Sequence, residues 1–231
     1  VQGLAARLRA RWPAQEAQLP RGAVRLNLMI CAGCGEWADQ PAVDDGPVLV
    51  CGACGHREPF RRLPLFVLTG PSGTGKSTVC RLLVERLADR VVVLEQDLLW
   101  VDALRDPHDD FGAFRRTWLR MIAMLNQNGR PVLLCGTVVP PELELRPERV
   151  LIGDTHYLAL TCADGPLAER LRRRPAWREW DEPRIAEMIE FNHWVRANAA
   201  TTAPPMTLLD TTARTVEETV AEVTTWVTAR L

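Results

Sequence analysis

Residues 70 to 78 read Gly-Pro-Ser-Gly-Thr-Gly-Lys-Ser-Thr (GPSGTGKST). A glycine at 70, four intervening residues and then Gly75-Lys76-Ser77 is the spacing of a loop built to hold a polyphosphate. Its glycines let the backbone take conformations that a Cβ forbids, so that successive N–H groups converge on one anion at the start of a helix. The flanks agree with this. Before the loop, 65–69 (LFVLT) is a short unbroken apolar run, the mark of a strand buried on both faces. After it, Val79, Leu82, Leu83 and Leu87 share one helical face. In such a loop Lys76 reaches the β- and γ-phosphate oxygens and the Ser77 hydroxyl ligates Mg²⁺, while Gly70, Ser72, Gly73, Thr74, Gly75 and Thr78 complete the phosphate contacts.

Outward from this loop, strand and helix signals alternate. Apolar runs at 91–94 (VVVL), 132–135, 157–161 and 207–209 predict four more strands. Between them, Phe111, Phe114, Trp118, Met121, Ile122 and Leu125 form a helical stripe closed by Gly129. Further helices are expected over 166–174, from a cap at Asp181 toward Ala199, and over 216–230. Strands alternating with helices imply right-handed crossovers and a parallel sheet covered on both faces. The predicted fold is therefore α/β, a three-layer sandwich around a five-stranded parallel sheet.

Ahead of residue 63 the chain has a different character. Cys31-x2-Cys34 and Cys51-x2-Cys54 are separated by sixteen residues, and a glycine follows each pair. Two thiolates from each of two tight turns make a closed tetrahedral Zn²⁺ site with no open position, so the metal is expected to be structural. This segment, 25–62, is similar to zinc ribbons, with His56 a surface residue beside the second pair. Residues 1–24 read as a helical extension.

Composition limits the alternatives. With 231 residues the chain suits one main domain plus a small module, and a net charge of -1 supplies no broad field for nucleic acid. No apolar stretch is long enough to span a membrane or to act as a secretory h-region, which predicts a cytoplasmic protein. Lys76 is the single lysine in the chain. An NKxD-type guanine reader therefore cannot exist, and the chain is too short, and lacks the signature motif, for a transporter-type ATPase.

The segment 63–231 resembles the P-loop small-molecule kinase superfamily, which includes nucleoside and nucleotide kinases, shikimate and gluconate kinases, chloramphenicol phosphotransferase and phage-type polynucleotide kinases. Glu95-Gln96-Asp97, after the second strand, stands where these kinases carry an acidic residue facing the acceptor. The resemblance makes Asp97 the group that takes or aligns the acceptor proton, with Glu95 as second candidate. Arg170, Arg172, Arg173 and Arg174 before Pro175 resemble the lid, expected around 166–182, and Arg170 with Arg174 form the expected functional pair. The acceptor pocket falls in the insert between the second and third strands, with Trp100, Arg115 and Arg116 as candidate substrate contacts. One departure stands out: the third strand ends Leu134-Cys135-Gly136-Thr137 without a carboxylate, which leaves Mg²⁺ to Asp97 or to water.

What the resemblance implies is Mg·ATP-dependent transfer of the γ-phosphoryl group to a hydroxyl of a small molecule, a nucleoside being the first candidate. A nucleoside monophosphate and a polynucleotide 5′-hydroxyl are the other acceptors. The non-enzymatic alternative is an ATP-gated interaction module whose ribbon holds a partner.

Overall fold

The computed structural model describes residues 25–231, so the helical extension expected over 1–24 lies outside the described residues. The first strands among the described residues are β1 (Ala42–Asp44), β2 (Val48–Val50) and β3 (Arg57–Pro59), an antiparallel sheet in the order β1-β2-β3. One cysteine turn precedes β1 and the other joins β2 to β3. In each, the glycine after the second cysteine turns back with positive φ, 73° at Gly35 and 72° at Gly55. The amides of these glycines then donate to the carbonyls of Cys31 and Cys51, both at 2.9 Å. A left-handed residue is what lets so short a turn aim both thiols to one side.

The remaining elements are β4 (Leu65–Thr69), α1 (Lys76–Arg86), β5 (Val92–Glu95), α2 (Gly112–Gln127), β6 (Val132–Cys135), α3 (Pro140–Glu144), β7 (Thr155–Thr161), α4 (Asp164–Arg172), α5 (Glu182–Asn198), β8 (Met206–Asp210) and α6 (Val216–Thr228). The five strands from β4 on form one parallel sheet in the order β5-β6-β4-β7-β8. Alternate residues of β4 serve opposite faces. Phe66 and Leu68 pack with Val79, Leu83 and Val223 of α1 and α6, whereas Leu65 and Val67 pack with Trp118 and Ile122 of α2. The expected five-stranded parallel α/β sandwich is the fold found.

Three local differences from the sequence reading have physical causes. The helix expected over 166–174 runs instead over Asp164–Arg172, because Arg174 precedes Pro175 and a residue before proline is driven out of the helical region. Arg170 and Arg174 are therefore not two positions of one helical face. The apolar loop after β6 contains the short helix α3, which starts on Pro140 and whose Glu142 carboxylate accepts from the Val139 amide at 2.7 Å. Finally, the ribbon and the larger sheet share a core, since Leu28, Met29 and Phe60 pack in the same apolar cluster as Trp118 and Leu119. No helix among the described residues is long and apolar enough to cross a membrane.

Candidate active site

The C-terminal ends of β4, β5 and β6 open onto three adjoining cavities. The first, of 280 Å³, is bounded by Ser72, Gly73, Gly75, Lys76, Ser77 and Thr78 of the phosphate loop, together with Glu95, Asp97, Arg174 and Arg178. The loop adopts its shape because Gly70, Gly73 and Gly75 all take positive φ, at 123°, 93° and 99°. Lys76 is buried and its Nζ donates across the loop to the carbonyls of Gly70, at 2.5 Å, and Pro71, at 2.9 Å. Burial pulls its pKa down to about 8.

Ser77 Oγ donates to Glu95 Oε1 at 2.5 Å. The hydroxyl assigned to Mg²⁺ thus has a carboxylate beside it, supplied by the end of β5. Asp97, two residues on, borders the same cavity without being Ser77's partner. A hydroxyl with a hard carboxylate oxygen next to it suits a small divalent cation that keeps several waters and takes one or two protein oxygens.

The second cavity, of 330 Å³, lies on the far side of the loop and is lined by Thr74, Thr78, Arg170, Arg174, Thr211 and Arg214 among others. Thr211 Oγ1 lies 2.9 Å from the Thr161 carbonyl and 3.2 Å from that of Thr74, while Arg170 Nη2 donates to the Thr211 carbonyl at 3.1 Å. Arg170 therefore stiffens the wall beyond the loop, on the side away from Asp97.

The third cavity, of 560 Å³, extends from Ser72 and Asp97 into a cleft that has an aromatic wall and four arginines, Arg115, Arg174, Arg178 and Arg184, on its border. Trp100, Phe111, Phe114, Trp118 and Trp180 line it. Trp100 meets Phe111 at 5.0 Å and Phe114 edge-on at 5.1 Å between ring centroids. Arg115 borders the cleft but is saturated: it pairs with Asp110 at 2.7 Å and with the Glu142 carboxylate. Desolvation raises the pKa of Glu142, against the pull of the neighbouring Arg115. Arg116 lies away from the cleft. It pairs with Glu148, a carboxylate of zero exposure that Arg120 also holds.

Arg174 borders all three cavities. Neither it nor Arg178 has a carboxylate partner within ion-pair distance among the described residues, and their guanidinium groups stack over Trp180 at 5.5 Å and Trp177 at 4.6 Å. Two unpaired cations of like charge beside Lys76 define a strongly anion-seeking point. The candidates Lys76, Ser77, Asp97 and Arg174 thus meet in one place with Glu95, Trp100 and Arg115 line the adjoining cleft, and Arg116 faces elsewhere. Arg178 and Trp180 were missed by sequence reasoning because they sit in the irregular segment between α4 and α5, where no periodicity marks a face. The only hint was their nearness to the arginine run.

At the second candidate site, Cys31 Sγ lies 3.7 Å from Cys54 Sγ, and Cys34 Sγ 3.7 Å from Cys51 Sγ. All four sulfurs lie within 4.8 Å of one another. A tetrahedral Zn²⁺ with Zn–S bonds of about 2.3 Å sets its sulfurs about 3.8 Å apart, so the four thiols fit that ion.

The chain matches no curated protein in sequence. Among solved structures it is similar to a gluconokinase from Sinorhizobium meliloti 1021, at 21% identity over 71% of this chain and 92% of that one, with a TM-score of 0.46. It is also similar to the deoxyadenosine kinase of M. mycoides, at 10% identity over 72% and 100% of the two chains, with a TM-score of 0.44. The tunicamycin resistance protein of Deinococcus radiodurans gives a TM-score of 0.51 at 14% identity, over 71% of this chain and 95% of that one. At such identities the likeness is one of fold. The model of the AAA domain family matches residues 67–191, more than half of the sequence, with the phosphate loop inside the match, and the chain belongs to that family.

Proposed function

We propose that this protein is a Mg·ATP-dependent phosphotransferase that moves the γ-phosphoryl group to a hydroxyl of a small molecule held in the aromatic cleft, a nucleoside being the first candidate. The observation that carries the reading is the adjacency of the three cavities along the phosphate loop, with Arg174 bordering all of them and Asp97 bordering the first and the third.

In this reading the triphosphate lies along the loop amides, with the nucleoside end of ATP toward Thr211. Bound at Ser77 with Glu95 behind it, Mg²⁺ would neutralise charge on the phosphate oxygens. Lys76 and Arg174 stabilise the equatorial oxygens as charge shifts during transfer, and Arg178 adds a second guanidinium from the lid. Asp97 accepts the proton of the acceptor hydroxyl. Phosphoryl transfer needs positioning and charge stabilisation more than covalent help from the protein, and this set supplies both.

The state of Arg115 favours an alcohol over a nucleoside monophosphate. Its guanidinium already meets two carboxylates, so a second phosphate would have to compete with Asp110 and Glu142 for it or turn to Arg184, which donates to the carbonyls of Arg178 and Glu179. A polynucleotide acceptor gripped by the ribbon is disfavoured for a similar reason. Arg57 pairs with Asp44, Arg61 donates to the Gln127 carbonyl, and Arg62 donates to that of Ile152. In the ribbon, Cys31, Cys34, Cys51 and Cys54 hold a structural Zn²⁺.

The test is ADP release by purified, zinc-replete protein across a panel of nucleosides, nucleoside monophosphates, sugars and hydroxyl-bearing antibiotics. Turnover with an uncharged alcohol is expected. Turnover confined to monophosphates, or binding of ATP with no transfer to any member, defeats the reading.

A further inference from the structure

The helix that walls the acceptor cleft carries the ribbon on its outer side. α2 lends Phe114, Arg115 and Trp118 to the cleft. From the same helix, the Arg120 guanidinium covers the Trp37 ring at 5.3 Å, and Arg116 Nη2 donates to the Asp39 carbonyl at 3.3 Å. At its C-terminal end, the Gln127 carboxamide pairs with both backbone groups of Arg61, accepting from its N–H and donating to its carbonyl, each at 2.9 Å. Below these, Leu28, Met29 and Phe60 pack in one apolar cluster with Trp118, Leu119 and Ile122.

These contacts are one-sided. The apolar cluster under α1 and the phosphate loop, which includes Val79, Leu83 and Val223, contains no ribbon residue. Arg116 and Arg120 also hold buried Glu148 at 2.9 and 2.7 Å, so the arginines that reach the ribbon are fixed by the body of the domain. Trp37, Asp39 and Arg61 therefore bear on a pre-set row of groups along α2.

We propose that the ribbon is a positioning element for the acceptor wall: its four-cysteine metal site holds Trp37, Asp39 and Arg61 against α2, so that zinc occupancy sets the order of α2 and the affinity for the acceptor and leaves nucleotide binding unchanged. The inference rests on reading the 560 Å³ cleft as the acceptor site. The physical ground is size. Three strands of three residues each bury little apolar surface of their own, so beyond the shared cluster at Leu28, Met29 and Phe60 the metal's binding energy is what folds the ribbon. Without zinc α2 keeps Glu148 and its inner face but loses its outer support, which lowers the free energy needed to open it locally.

The experiment compares the zinc-loaded full chain with the same chain stripped by a chelator, both with a non-hydrolysable ATP analogue, by hydrogen exchange resolved along the sequence. Exchange should speed up about tenfold or more over 112–127, and stay unchanged over 65–86 and 155–161, while the Kd of the analogue moves less than about twofold. For any nucleoside that turns over, its KM should rise about tenfold with the KM for ATP unchanged. Trp37→Ala, at a partly exposed ribbon position that leaves all four cysteines and the zinc content intact, should shift the same quantities in the same direction by less. The proposal is overturned if zinc removal leaves exchange over 112–127 unaltered, or if the phosphate loop and β4 loosen as much as α2 and nucleotide binding goes with them. The expected exchange pattern without turnover of any acceptor would instead defeat the reading of the cleft and leave the coupling of zinc to α2 standing.

Discussion

Ser77 Oγ sits 2.5 Å from Glu95 Oε1, a bond that joins the first turn of α1 to the end of β5 across the phosphate loop. The end of β6 has no carboxylate, and the one beside Ser77 stands at the end of the neighbouring strand β5. Glu95→Gln keeps the shape and removes the charge. The concentration of Mg²⁺ needed for half-maximal turnover should rise about 10- to 100-fold, as when an outer partner of a metal ligand is lost, with metal-free nucleotide binding unchanged. A magnesium titration of ADP release checks this, and an unshifted midpoint would remove Glu95 from the metal's surroundings.

Lys76 gives a pH signature. Burial holds its folded-state pKa near 8, below the ordinary 10.5, so between these values the native protein binds fewer protons than the unfolded chain. The buried ammonium therefore costs stability below pH 8, and that cost fades as the pH rises from about 8 to 10.5. A triphosphate against Nζ reverses the shift. ATP binding at pH 8.5 should take up a fraction of a proton, measurable by calorimetry in two buffers of different ionisation enthalpy, and Lys76→Arg should abolish the uptake.

Asp97 borders both the phosphate cavity and the aromatic cleft. If it receives the proton of an attacking hydroxyl, Asp97→Asn lowers kcat by about 10²- to 10⁴-fold while the Kd for ATP stays within a few-fold. An acceptor already ionised would need no such help, and turnover would then survive the substitution.

Arg174 reaches all three cavities, half-buried and without an acidic partner among the described residues. Arg174→Ala should reduce kcat by about 10²- to 10³-fold, and Arg174→Lys should recover little, because a point charge cannot span two phosphate oxygens as a guanidinium fork does. Steady-state kinetics of the two variants side by side make the comparison.

Gly70→Ala tests the loop's shape separately from its chemistry. At φ 123°, a methyl on this residue would stand 2.2 Å from the Leu160 carbonyl oxygen, a backbone atom that cannot move aside. A cost of about 3 kcal/mol, or roughly 6–12 °C in Tm for a chain of this size, is expected by thermal denaturation. Gly46, also at positive φ but with open space around it, should cost only about 1 kcal/mol on the same change.

How much of this was legible in sequence depended on how local the signal was. The octet at 70–77 and the four cysteines are chemistry at fixed spacing, and the strands of the large sheet are unbroken apolar runs, so both were readable directly. Arg116 looked like Arg115 in sequence, yet one residue of helix turns it 100° away, toward Glu148, whose burial nothing in its neighbourhood announces. The Ser77–Glu95 bond joins residues eighteen apart on different elements, and only the placement of β5 beside β6 brings them together. The cleft's aromatic wall combines α2 with the segment before α5, a pairing set by tertiary packing and invisible to any periodicity.

The chain's single lysine has a practical meaning outside catalysis. Apart from any terminal amine, the chain holds one amino group for an acylating reagent, and it is a largely buried one that lines the phosphate cavity, its pKa pulled down to about 8. A nucleotide on the loop would cover it. The extent of labelling, read by mass alone, then becomes a one-residue gauge of whether the loop is filled, on a protein where arginine has taken every other cationic position.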